Sequence, residues 1–101
     1  MLPLLIIMFV LITYDVSTID KAGMRRLRRV AQACEDYGQR VQKSVFECKL
    51  DQRRWVMLKA RLLREINEHQ DSLRFYFLEV DTPTQHVGVN EPVDLDDPLV
   101  F

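Results

Sequence analysis

The chain has 101 residues, of which 48% are hydrophobic and nine are aromatic. This composition excludes an intrinsically disordered chain, and the length predicts one domain whose modest core would gain from dimerisation. The net charge of −1 conceals an uneven distribution, because residues 21–64 carry thirteen of the fourteen basic side chains and only four acids. Residues 79–101 carry six acids and no Lys or Arg. We therefore expect an anionic partner for the middle and a separate role for the tail, unless the two halves neutralise each other.

The chain opens on an apolar stretch, MLPLLIIMFVLITY. A membrane-spanning helix needs roughly 20 apolar residues, whereas this stretch is shorter and contains Pro3. It also lacks the preceding basic residues and the following cleavage site of a signal peptide. Its β-branched residues instead predict a strand from Met8 to Asp15. Residues 1–7 are expected to be an upstream extension that adds nothing to the fold.

The first strand ends on a lone acid, Asp15. A buried carboxylate is costly unless it is paired or holds a metal, so two interpretations are open. In the first, Asp15 meets its own copy across a twofold axis, and the pair holds magnesium or, alternatively, manganese; magnesium prefers oxygen ligands. In the second, which composition alone favours, Asp15 caps the turn by accepting hydrogen bonds from the amides of Ser17 or Thr18.

A helical pattern follows, with Asp20 among its N-cap candidates and Gly38 placed as its C-cap. Apolar residues recur on one face at helical spacing: Leu27, Val30, Ala31, Cys34 and Tyr37. The opposite face is rich in guanidinium groups, whose fork matches two phosphate oxygens, although a solvated helix face is the alternative. These arginines are Arg25, Arg28 and Arg29.

The next stretch, QRVQKSVFECKL, alternates and predicts two short strands, or one bent strand, with a break near Lys43 and Ser44. A second helix begins near Asp51 and turns Trp55, Leu58, Leu62 and Ile66 inward. A further strand, LRFYFLEV, spans residues 73–80, and a short apolar piece, HVGV, follows at 86–89. Cys34 and Cys48 lack metal-type spacing and predict buried thiols in a reducing cytosol.

The element order strand, helix, strand, strand, helix, strand predicts an α+β, ferredoxin-like βαββαβ sandwich over residues 8–80. Two helices cover only one face of such a sheet. Because the strands LITY and FYFL are apolar on both sides, we expect a homodimer in which two sheets face each other. Residues 81–101 are expected to add a C-terminal strand or an acidic tail that docks on the dimer mate or a partner.

Several motifs together resemble one family. TYDVST, RRLRRVAQAC, YGQRVQKSVFEC, LKARLL and DSLRFYFL are similar to segments of the small CRISPR-associated endonuclease, the second of the two universal adaptation proteins. The likeness covers about residues 8–78, and the tail resembles the subtype I-C branch. Two departures are residues 1–7, which precede the usual start, and EVDTPTQ at 79–85, which replaces a longer basic stretch.

The resemblance implies a ferredoxin-like homodimer that cleaves phosphodiesters of DNA, and alternatively RNA, with magnesium, and that works with the larger CRISPR integrase in spacer capture. It places the metal-ligating, catalytic aspartate at Asp15. It places nucleic-acid-binding residues at further positions: Tyr14, Arg29, Arg40, Ser44 and Phe46. From the residues themselves we also expect Arg40 to reach a phosphate near Asp15.

Three functions follow. The first is a metal-dependent endonuclease of antiviral defence. The second is a non-catalytic, DNA-holding scaffold for the integrase, since one acid per protomer makes a weak catalytic centre. The third, which the tail disfavours, is a related toxin-type ribonuclease. We expect a cytoplasmic protein without membrane association.

Overall fold

The computed structural model describes residues 6–89. Its six elements occur in the predicted order: β1 (Ile7–Asp15), α1 (Lys21–Tyr37), β2 (Gln39–Gln42), β3 (Val45–Asp51), α2 (Gln52–Glu65) and β4 (Ser72–Leu78). The strands form one antiparallel sheet in the order β2-β3-β1-β4, which confirms the α+β, ferredoxin-like arrangement. Within this part of the chain, no helix is long and apolar enough to cross a bilayer.

The core lies between the helices and one face of the sheet. Alternate residues of β1 and β3 point into it and are fully buried, including Val10, Ile12, Phe46 and Cys48. The predicted stripes of both helices also enter this core, with Leu27 and Val30 of α1 and Leu58 and Leu62 of α2 buried there. The hydrophobic periodicity therefore identified the packed face of each element.

The ends of the helices follow the predicted capping, and Asp20 is the one of the N-cap candidates that caps α1. Asp20 is the N-cap of α1 and accepts a hydrogen bond from the amide of Gly23 at 2.8 Å. Asp51 caps α2 through the amide of Arg54 at 2.8 Å. Gly38 follows α1 with an extended backbone, and its amide donates to the carbonyl of Cys34 at 2.8 Å. A Cβ at Gly38 would lie 2.6 Å from the Glu47 carbonyl oxygen, so close packing requires this glycine.

One boundary expectation needs correction. Ile7 pairs with Asp51, so β1 begins at residue 7 and the expected extension contributes at least that residue to the sheet. Val87 and Val89 of the apolar piece at 86–89 are 86% and 80% exposed, and this piece forms no strand among residues 6–89. The docking of residues 81–101 on a dimer mate or a partner stays a prediction, and residues 90–101 lie outside the described range.

The second face of the sheet carries apolar side chains that no helix covers. Register places Leu11 opposite Tyr76 and Phe9 opposite Leu78 on this face. Tyr76 is 43% exposed and Leu78 is 37% exposed, whereas Phe9 is buried and lies beneath the ammonium group of Lys49. We call this surface the open sheet face.

Candidate active site

Asp15 lies in a groove at the carboxyl end of β1. The groove has a volume of about 590 Å³ and is lined by the end of β1, the loop that follows it and the β2–β3 turn: Tyr14, Asp15, Val16, Ser17, Thr18, Ile19 and Ser44. Antiparallel pairing brings these segments together, because the amide of Tyr14 donates to the carbonyl of Ser44 at 3.1 Å. Asp15 and Ser44, which are 29 positions apart, therefore line the same groove.

The carboxylate of Asp15 is exposed, so β1 does not end on a buried charge. No salt bridge joins it to a cation within residues 6–89. The turn-capping interpretation is also wrong in the folded chain, because the amide of Ser17 donates to Asp71 and the N-cap of α1 is Asp20. Asp15 is thus available to a ligand in the groove.

Residues 6–89 of one chain do not supply a complete metal site by themselves. Residues 6–89 contain no cluster of three or more His, Cys, Asp or Glu side chains that could hold an ion. The groove does offer oxygen donors suited to magnesium, namely the Asp15 carboxylate and the hydroxyl groups of Ser17, Thr18 and Ser44. This donor set would fit magnesium with a second carboxylate from outside residues 6–89 of the same chain, such as Asp15 of a second copy.

Tyr14 supports the groove wall and is almost fully buried. Its hydroxyl donates to the carbonyl of Lys43 at 3.3 Å, which links β1 to the β2–β3 turn. Burial raises the pKa of Tyr14 to about 12, although the nearby Arg40 favours the charged form. Tyr14 is therefore a neutral phenol at physiological pH and does not act as a general base there.

Phe46 and Arg40 do not lie where we expected them. Phe46 has no exposed surface and stacks on Tyr14 with ring centroids 6.2 Å apart. Arg40 pairs directly opposite Phe46, which turns its side chain toward the helices, and its guanidinium lies 5.0 Å from the centre of the Phe46 ring. Phe46 and the Arg40 guanidinium expose no surface in this conformation, which favours a supporting role behind Tyr14, and their expected nucleic-acid contacts stay a prediction.

The burial of Arg40 is unusual. All three of its guanidinium nitrogens are shielded from solvent, and none has a hydrogen-bond partner among residues 6–89. Burying a cation costs free energy unless other interactions offset the lost hydration. Contact with the face of an aromatic ring offsets part of that cost. The guanidinium thus lies against the Phe46 ring instead of in the groove.

The arginines of α1 form a separate basic surface. Arg25, Arg28 and Arg29 are exposed, and none of them lines the groove. Nη1 of Arg29 lies 3.8 Å from a carboxylate oxygen of Glu65 in α2, and the Arg29 side chain is 66% exposed. These groups are free to meet phosphate oxygens along α1, and we call them the α1 arginine surface.

Sequence reasoning missed Asp71, whose side chain has no exposed surface. Its two carboxylate oxygens accept hydrogen bonds from the amide of Ser17 at 3.0 Å and from the amide of Asn67 at 2.9 Å. They also accept a hydrogen bond from Nε of Arg26 at 2.8 Å. Burial alone would raise the pKa of Asp71, but these hydrogen bonds hold it below the usual range. The only signal was the polar connector NEHQDS, which is typical of an ordinary loop.

Comparison with known proteins places this geometry in a family. The model of the family "CRISPR associated protein Cas2" matches residues 8–84. A "CRISPR-associated endoribonuclease Cas2" from Chlorobaculum tepidum is 53% identical over 93% of this chain and 100% of that protein. A "CRISPR-associated endonuclease Cas2" from Halalkalibacterium halodurans is 51% identical, with the same coverage of both chains.

Solved structures show the same likeness. The crystal structure of Streptococcus pyogenes Cas2 at pH 6.5 is 49% identical, covers 80% of this chain and 100% of that one, and has a TM-score of 0.71. A second crystal structure, described as Cas2, is 30% identical, covers 87% of this chain and 95% of that one, and has a TM-score of 0.68. The sequence and fold together show that this chain belongs to the Cas2 family of CRISPR-associated proteins.

Proposed function

We propose that this chain is a magnesium-dependent endonuclease that acts as a homodimer in CRISPR spacer acquisition, together with the CRISPR integrase. The observation that carries the proposal is the exposed Asp15 carboxylate, which has no cationic partner in residues 6–89 and lies in an oxygen-lined groove. The names of the two relatives, endoribonuclease and endonuclease, support hydrolysis of nucleic acid phosphodiesters.

The open sheet face supports the dimer. Tyr76 and Leu78 expose apolar surface there, and burying it against a second copy is favourable. A twofold axis near the carboxyl end of β1 would bring the two Asp15 side chains together. Two carboxylates at close range repel each other unless a cation lies between them, which makes the pair a magnesium site.

In this site, the two Asp15 carboxylates would hold the ion, and Ser44 would orient the substrate from the groove wall. When bound, magnesium activates a water molecule and neutralises charge on the phosphodiester. The α1 arginine surface would bind flanking phosphates and fix the position of the strand. Tyr14, Phe46 and Arg40 would keep the groove wall rigid from behind.

The test is Asp15→Asn compared with Asp81→Asn, an exposed acid outside the groove. We expect Asp15→Asn to abolish magnesium-dependent cleavage of both DNA and RNA substrates while the dimer persists in sedimentation. Asp81→Asn should cleave like the wild type. Unchanged cleavage by Asp15→Asn would remove this residue from the mechanism.

A non-catalytic scaffold is the second candidate, and the separation of the α1 arginine surface from the groove favours it. DNA held on α1 would not need Asp15. Spacer acquisition in cells distinguishes the two functions. If Asp15→Asn cells still acquire spacers while Arg28→Ala/Arg29→Ala cells do not, the scaffold function is correct and the catalytic function is not required.

A further inference from the structure

We propose that Asp71 and Arg26 form a positioning pair that fixes the loop after β1 and thereby aims the Asp15 carboxylate into the groove. This inference rests on the proposed function, because it assumes that the direction of Asp15 matters for metal binding. Neither Asp71 nor Arg26 lines the groove, so each acts through the loop.

The pair connects three segments of the chain. Asp71 immediately precedes β4, Arg26 lies in the first half of α1, and the amide of Ser17 belongs to the loop between β1 and α1. Arg26 approaches Asp71 with Nε at 2.8 Å and Nη2 at 3.2 Å, and Nη2 also donates to Gln70 at 3.0 Å. This two-pronged contact fixes the orientation of the carboxylate and also stabilises its negative charge.

Ser17 is held from two sides. Its amide donates to Asp71 Oδ1 at 3.0 Å. Its carbonyl oxygen packs against α1 at Gly23, where any Cβ would collide with it. The close contact with Gly23 limits the approach of the loop to α1, and the hydrogen bond to Asp71 restrains the loop from its amide side.

The position of Ser17 constrains Asp15 because the two residues are only two positions apart. On the other side, Asp15 lies opposite Ser72 in the β1–β4 register, and Ser72 directly follows Asp71. The backbone of Asp71 is thus connected to Asp15 through the pairing of Ser72 in the sheet. The side chain of Asp71 is connected to Asp15 through its hydrogen bond to Ser17 in the loop. A catalytic ligand misplaced by about 1 Å can cost on the order of 100-fold in rate.

Asp71→Asn is the most informative change, because it keeps the shape of the side chain. The amide nitrogen cannot accept, so at the Oδ1 position it loses the bonds from Ser17 and Arg26 Nη2, and at the Oδ2 position it loses those from Asn67 and Arg26 Nε. In either orientation the carboxylate charge is lost and the two-pronged contact with Arg26 is broken, which weakens the hold on Ser17. Asp36→Asn is the matched control, since Asp36 also pairs with an arginine, Arg61, at 2.7 Å but on the exposed helix surface. Arg26→Lys is the conservative variant, which keeps the positive charge and loses the two-pronged geometry.

We expect Asp71→Asn to raise the manganese concentration needed for half-maximal binding and for half-maximal cleavage. The turnover rate should fall by up to about 100-fold, while KM for the nucleic acid stays unchanged. Amide hydrogen exchange at Ser17 should become faster in the folded dimer. Arg26→Lys should show the same changes to a smaller extent, and Asp36→Asn should show none of them.

The proposal is overturned if Asp71→Asn and Arg26→Lys bind manganese like the wild type and keep its exchange rate at Ser17. It is also overturned if activity falls only in proportion to the fraction of unfolded protein, as expected for a purely structural role. If the wild type itself shows no metal-dependent cleavage, the proposed function fails. Hydrogen exchange at Ser17 and manganese affinity then still decide whether the pair positions Asp15.

Discussion

Phe46 offers a quantitative test of the distinction between a contact residue and a supporting residue. Its side chain has no exposed surface, stacks on Tyr14 and lies against the Arg40 guanidinium. Truncation of a buried phenylalanine to alanine costs about 3–5 kcal/mol, and the ring contacts contribute to that cost. We expect Phe46→Ala to lose about 4 kcal/mol, a large share of the ~5–15 kcal/mol that stabilises a typical domain.

Phe46→Leu keeps most of the apolar volume and is expected to cost about 1.5 kcal/mol, so this variant should stay folded. Phe77→Ala is the control, because Phe77 is 61% exposed and has an edge contact with Trp55 at 5.4 Å. Its loss should cost about 1 kcal/mol. Urea unfolding gives these values, at one protein concentration because dimer stability depends on concentration.

A direct contact would give a different result. If Phe46→Leu weakened nucleic acid binding strongly while the free energy of unfolding stayed at the wild-type value, Phe46 would reach the substrate. The conformation described here would then not be the one that binds nucleic acid, and the supporting role of Phe46 would be refuted. Equal affinity together with reduced stability would agree with the structure.

Three further predictions concern acid stability, thiol reactivity and salt. The folded chain holds the pKa of Asp71 below its usual value, so its stabilising contribution is complete above about pH 4 and is lost as the pH falls through the folded pKa. In thermal melts, the Tm gap between the wild type and Asp71→Asn should therefore narrow below about pH 4, and a constant gap would contradict this assignment. Burial raises the pKa of Cys48 to about 11 and raises the pKa of Cys34 as well. Neither thiol should therefore react with a disulfide reagent at about pH 8 before the protein unfolds. Rapid labelling of the folded protein would refute the burial of these thiols. Affinity for duplex DNA should fall as salt rises, and Arg28→Ala/Arg29→Ala should make that dependence less steep, whereas an unchanged slope would exclude the α1 arginine surface as a phosphate contact.

The sequence predicted the elements that periodicity and capping define. The apolar stripe of α1, the break at Lys43–Ser44 and the N-cap at Asp51 are all confirmed. Such features depend on neighbours along the chain, and local physical rules describe them well. The family resemblance singled out Asp15 and Ser44 by role only, and the pairing of β1 beside the β2–β3 turn is what brings them to one groove.

The features that the sequence could not place depend on contacts between distant segments. Arg40 lies in a strand of four residues, QRVQ, whose alternation does not say which face meets the core. A register irregularity between Arg40 and Gln42 adds to the ambiguity, and only pairing with Phe46 turns Arg40 inward. The partners of Asp71 are up to 54 positions away, so no local pattern could reveal its burial. Residues 86–89 have strand composition but find no strand to pair with in the described part of this chain.

A crystal of the dimer grown with manganese would show whether two copies of Asp15 share one divalent cation. We expect one anomalous scattering peak on the twofold axis, between the two Asp15 carboxylates, and loss of that peak in Asp15→Asn crystals. Asp15 residues on opposite sides of the dimer, or a manganese ion bound elsewhere and retained in Asp15→Asn, would contradict it.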